Sequence, residues 1–104
     1  MPVTVTRAGR TMTALISGEI DHHGAREIMT ALDREIDATL PHLLELDLSG
    51  VTFMDSSGIA LILGRVESAA AVGARVHLDG LSNGLFKLVR LSGIERVKNL
   101  TVSP

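Results

Sequence analysis

Residues 43–70 read LLELDLSGVTFMDSSGIALILGRVESAA, and the change of period inside this stretch decides the fold. Leu44, Leu46 and Leu48 alternate with Glu45 and Asp47, the two-residue period of a strand with one face on a core and the other open to water. Beyond Asp55 the apolar residues Ile59, Ile62, Leu63, Val66 and Ala70 recur at helical spacing. They are expected to form the buried stripe of a helix that Gly73 ends as a left-handed cap. The tetrad Asp55, Ser56, Ser57, Gly58 falls at the junction, so a carboxylate and two hydroxyls sit at a helix N-terminus. Unpaired backbone N–H groups and the positive end of the helix dipole favour added negative charge there. Asp and Ser are also ordinary helix caps. Two further features point past capping: Gly58 leaves room for another molecule to approach, and Leu61, Arg65 and Ser68 fall off the buried stripe. An outward Leu61 and Arg65 beside a modifiable hydroxyl predict a partner-binding face.

Working outward, Val3, Val5 and Arg7 alternate with Thr4 and Thr6, and Ala8, Gly9, Arg10 read as a turn into a second strand from about Thr11 to Ser17. The two predict an antiparallel hairpin. Ala25, Ile28, Met29, Leu32, Ile36 and Leu40 follow helical spacing from Gly24 to Leu40, with Arg26, Glu27, Asp33, Arg34 and Asp37 opposite, and Pro41 marks the end. Arg75 to Asp79 predicts another strand. Ser82 is a suitable N-cap for a third helix ending near Gly93, and Arg96 to Val102 a last strand or short terminal segment. A hairpin followed by alternating helices and strands calls for an α/β fold with a mixed sheet and parallel crossovers.

Composition narrows the function. The 104 residues make one small domain, 45% hydrophobic but with two Phe and no Trp or Tyr, so the core is aliphatic. A net charge of −2, with cations scattered singly among acids and almost no stacking surface, argues against nucleic-acid binding. The absence of cysteine removes disulfides and thiolate chemistry. No apolar run is long enough to span a bilayer and no signal-peptide pattern opens the chain, so the expectation is a cytoplasmic protein without direct membrane binding.

A second constellation, Gly18, Glu19, Ile20, Asp21, His22, His23, closes one strand and opens the first long helix. Adjacent histidines diverge and no well-spaced third ligand follows, so no metal site is expected. Asp21 and the histidines are expected to cap the helix and line a surface loop. With βα loops gathered at one end of the sheet, that loop and the tetrad form one acidic and polar patch. A serine hydrolase is disfavoured, since Asp21 adjoins His22 and neither serine lies in a G-x-S-x-G elbow. A P-loop is absent too, since Gly58 and Gly64 are separated by apolar residues and no Lys-Ser or Lys-Thr pair follows. His42 and His77 read as ordinary loop and strand residues.

Gly18 to His23, then Val51, Thr52, Phe53, Met54, Asp55, Ser56, Ser57, Gly58, and then Ile62, Leu63, Gly64, Arg65 together resemble the anti-sigma factor antagonists, small STAS-domain proteins of bacterial partner-switching systems. Leu91, Ser92, Gly93, Ile94 looks like a further segment of that family. The likeness extends over nearly the whole chain and implies a single STAS domain over residues 1–104. It implies that Ser56, the first serine after the aspartate, accepts phosphate from a cognate anti-sigma factor serine kinase using ATP and magnesium. A phosphatase acting on phosphorylated Ser56 would reverse the mark. The unmodified protein would bind the kinase and free the sigma factor, and would itself be no enzyme and carry no cofactor. Asp21, His22, His23, Asp55, Ser57, Gly58, Leu61 and Arg65 are the expected partner-binding residues. The alternative within the same fold is a STAS subunit of a stress-signalling scaffold or of a membrane transport system. Two features depart from the family's pattern: a further helix commonly follows its last strand, and Ser82, Asn83, Gly84 lacks the proline often found there.

Overall fold

Strand periodicity and strand pairing together sort the side chains into two faces. The computed structural model describes residues 2–103. Strands β1 (Val3–Ala8) and β2 (Thr11–Ile20) form the hairpin. Helix α1 (His22–Thr39) leads to β3 (Leu43–Met54), α2 (Ser56–Ala71) to β4 (Arg75–Asp79), and α3 (Asn83–Ser92) with a 3-10 turn (Ile94–Arg96) to β5 (Leu100–Val102). Spatial order follows chain order, β1-β2-β3-β4-β5, with β1 antiparallel to β2 and every later pair parallel. Steady progress across a sheet by right-handed crossovers places successive helices on one face. Helices α1 and α2 pack against each other there.

Register shows the consequence. Met12, Leu44, Val76 and Leu100 align across β2 to β5, all buried, and so do Ala14, Leu46 and Leu78 one repeat on. The intervening row, Thr6, Thr13, Glu45, His77 and Thr101, crosses all five strands on the other face and is exposed or half-buried. A largely parallel sheet usually has both faces covered; here the Glu45/Asp47 alternation leaves one side in water, as the sequence predicted. His77 ties the short edge strand down, its ring nitrogens lying 2.6 Å from Thr101 Oγ1 and 2.9 Å from Ser103 Oγ. Among the described residues, no helix is long and apolar enough to cross a membrane.

Boundaries differ from the sequence reading where periodicity breaks. β2 continues to Ile20 and β3 to Met54, beyond Ser17 and Leu48, because parallel pairing carries both strands on to Ile20↔Met54. Gly18, at φ +84°, accompanies the register shift there, a conformation that side-chain-bearing residues rarely adopt. α1 starts at His22 and not Gly24, because Asp21 caps it. The last strand or short terminal segment expected over Arg96 to Val102 is shorter: Arg96 closes the 3-10 turn and only Leu100–Val102 is strand. Leu40, predicted on the inner stripe of α1, is the C-cap in left-handed conformation and 53% exposed.

The larger correction concerns α2. Its buried residues are Gly58, Leu61, Ile62, Arg65, Val66 and Ala69, about one position out of phase with the predicted stripe. Ile59 and Leu63 are half-buried and Ala70 is exposed. This helix is enclosed by the sheet on one side and α1 on the next, so its inner face is wider than one stripe.

Candidate functional site

Because β2 and β3 are parallel neighbours paired at Ile20↔Met54, the residues that follow them start two helices side by side. Asp21 and Asp55 are the two N-caps. Asp21 Oδ1 accepts from the Gly24 N–H at 2.7 Å, and Asp55 Oδ1 accepts from the Ser57 N–H at 2.8 Å. Both caps are in extended backbone, which turns the carboxylate back onto the first helical turn. The Asp55 N–H donates to Ile20 O at 3.4 Å, joining one helix start to the end of the neighbouring strand.

Ser56 is the first residue of α2 and is exposed. Ser57 is half-buried and turns instead into a cleft of about 410 Å³ between the helix starts, lined also by His22, Ala25, Arg26, Met29 and Ala60. The two serines thus differ in access: Ser56 can be reached from solvent, while Ser57 stands at a wall of α1. Two donors of this terminus are already in use. Asp55 takes the Ser57 N–H with its carboxylate and the Gly58 N–H with its carbonyl, at 3.0 Å. An anion on Ser56 is therefore favoured by the helix dipole but faces the Asp55 carboxylate.

The predicted partner-binding residues separate into two groups. Asp21, His22, His23, Asp55 and Ser57 gather at the C-terminal end of the sheet, the histidines exposed in the first turn of α1 and not in a loop. Gly58, Leu61 and Arg65 do not present themselves to a partner. Gly58 is buried, and a Cβ there would overlap the Met54 side chain, so the missing side chain makes room for the protein's own methionine. Leu61 is fully buried. Arg65 is 6% exposed, with Nε 3.0 Å from Asp33 Oδ1 of α1 but not aligned for a hydrogen bond. Burial pushes the Arg65 guanidinium below its usual pKa, while Asp33 and Glu67 hold it up. The Arg65–Asp33 pair joins α2 to α1.

Arg26, Met29 and Ala60 of the cleft were not among the residues singled out by sequence. The available signal was the spacing His22, Arg26, Met29 on one flank of α1; it needed the knowledge that α2 lies against that flank.

The family model described as "Mlab, STAS domain" matches residues 3–102. The chain belongs to the STAS family. Among curated proteins, this STAS domain is 34% identical over 90 residues to the anti-sigma F factor antagonist of Lysinibacillus sphaericus, covering 86% of this chain and 75% of that protein. It is 30% identical over 83 residues to the anti-sigma-B factor antagonist of Listeria monocytogenes, covering 79% and 71%. Among solved structures it resembles the Bacillus cell fate determinant SpoIIAA in the phosphorylated form, with TM-score 0.72, 26% identity, and coverage of 98% of this chain and 91% of that one.

Proposed function

We propose that this STAS domain is an anti-sigma factor antagonist whose binding is switched by phosphorylation of Ser56. In the unmodified state it binds a cognate anti-sigma factor through the end of the sheet formed by Asp21, His22, His23, Asp55 and Ser57, and thereby frees a sigma factor. That partner is a serine kinase which transfers phosphate from ATP to Ser56 and then dissociates. A phosphatase restores the binding form.

The observation that carries this reading is the exposure of Ser56 at the start of α2, beside a neighbour that is turned inward. The names of the relatives support the class of partner, and the SpoIIAA relative is described in a phosphorylated form. Charge supplies the switch. A phosphate adds about −1.5 to −2 charges, and the helix dipole offsets roughly 0.3–2 kcal/mol of this in the free domain. Against a docked protein, the same group must shed water beside Asp55 and near Asp21, which costs several kcal/mol if it is left unpaired, where about 1.4 kcal/mol is tenfold in affinity.

The test is incubation with the kinase and ATP followed by phosphopeptide mass spectrometry. Ser56→Ala should abolish the modification and keep kinase binding, Ser56→Asp should bind at least about tenfold more weakly, and Ser57→Ala should remain a phosphate acceptor. Phosphate found on Ser57, or co-purification with a large scaffold or a membrane-associated ATPase in place of a small kinase, would overturn the proposal.

A further inference from the structure

We propose that the edge of the sheet opposite Ser56 is a second docking surface, one that takes an acidic protein segment carrying an apolar residue. Strands β2 to β5 begin side by side at this edge. The Arg10 carbonyl accepts from the His42 N–H at 2.8 Å, the His42 carbonyl from the Arg75 N–H at 3.0 Å, and the Asn99 carbonyl from the Val76 N–H at 2.9 Å. These bonds align Arg10, His42 and Arg75 across β2 to β4 and bring Asn99, the neighbour of Lys98, alongside, so the row of Arg10, His42, Arg75 and Lys98 spans roughly 14 Å at ordinary strand spacing. All four are exposed. The ion pairs within 4 Å among the described residues are Arg65–Asp33 and Arg90–Glu95, and neither uses this row. Arg10 Nη1 instead lies 3.4 Å from His42 Nε2, so its partner here is a ring nitrogen and not a carboxylate. Helix capping does not account for the row, because its members sit at or just before strand starts and the last turns of α1 and α2 contain no basic residue.

Backbone strain marks the same edge independently. Leu40 at φ 48° and Asn99 at φ 69° are the non-glycine residues with positive φ among those described, and both lie here. Glycine is the usual residue at such a helix end. Leucine there carries a steric cost and leaves an apolar side chain 53% exposed two positions before His42. Strained residues of this kind gather where a surface is used. An apolar anchor next to unpaired cations complements an acidic polypeptide. Single-stranded nucleic acid fits less well, because the edge has no aromatic side chain on which a base could stack: Phe53 lies near the far end of β3 and Phe86 on α3. The twelve residues of β3 separate this edge from Asp55, so the two surfaces lie at opposite ends of the sheet.

The probe is a fluorescent synthetic peptide rich in glutamate with leucine at regular intervals, followed by anisotropy at low salt. Charge reversal by Arg10→Glu with Arg75→Glu should weaken its binding at least about tenfold. Leu40→Gly should weaken binding about threefold or more while raising the thermal midpoint, opposite signs that a purely structural leucine would not produce. Binding untouched by the charge reversal or by Leu40→Gly, or tighter binding of single-stranded DNA or anionic vesicles than of the peptide, would overturn the proposal.

Discussion

Arg65 and Leu61 show what a single position in a helix can hide. Both were expected to meet a partner, and both are buried, Arg65 against Asp33 of α1. The Arg65–Asp33 pair is lopsided, with side chains 7% and 43% exposed, so its two members should respond differently to removal. Asp33→Ala leaves a buried guanidinium without its carboxylate and should cost about 2–4 kcal/mol, below the upper end for fully buried pairs because Asp33 is partly solvated. Arg65→Met replaces the charge by an apolar chain of similar reach and should cost less than about 1 kcal/mol. Urea unfolding of the two variants measures the difference, and equal losses would show that the pair acts through packing alone. At the same scale, the position of Ser56 in the first turn of a helix and the two capping aspartates were legible in the sequence. An Asp-Ser-Ser-Gly run between a strand period and a helix period allows few other local geometries.

At the scale of elements, the two helix starts are held by matching devices, a capping aspartate and a strand end paired to its neighbour. The start of α2 adds a packing constraint, since Met54 fills the space beside Gly58. Gly58→Ala should therefore destabilise the domain by about 1–3 kcal/mol, and by less in a Met54→Ala background, where the overlapping side chain is shortened. Thermal melts of the four combinations measure this coupling; additive losses would show that the methionine moves aside freely. The existence and order of the elements followed from periodicity and turn residues. Their ends did not where β2 and β3 pass through Gly18 and Gly50, because there the alternation lapses and only pairing between strands keeps them extended. The inward face of α2 was misread by about one position for a related reason. Its sequence is apolar on several sides, and periodicity cannot tell the side that meets a sheet from the side that meets another helix.

At the scale of the whole molecule, the fold separates stability from switching. The core lies between the helices and one face of the sheet, whereas Ser56 stands at the rim, outside the buried rows. Phosphorylated protein should thus keep its thermal midpoint within about 8 °C of the unmodified form, corresponding to less than roughly 1 kcal/mol, while kinase affinity falls more than tenfold, or about 1.4 kcal/mol. Scanning calorimetry and titration calorimetry on the same sample give both numbers, and a large loss of stability without loss of binding would reverse the account. The sequence by itself determined the α/β class, the mixed sheet with one wet face, the two helix caps and the exposed serine between β3 and α2, because each depends on residues within one turn or one strand repeat. Tertiary structure alone decided that Leu61 is buried and Arg65 meets Asp33 of α1, that Met54 occupies the space beside Gly58, that Ser57 lines a cleft with His22 and Arg26, and that Arg10, His42, Arg75 and Lys98 form a row. Those groupings join residues far apart in the chain, and such neighbours are set by which elements pack together, which no local period encodes.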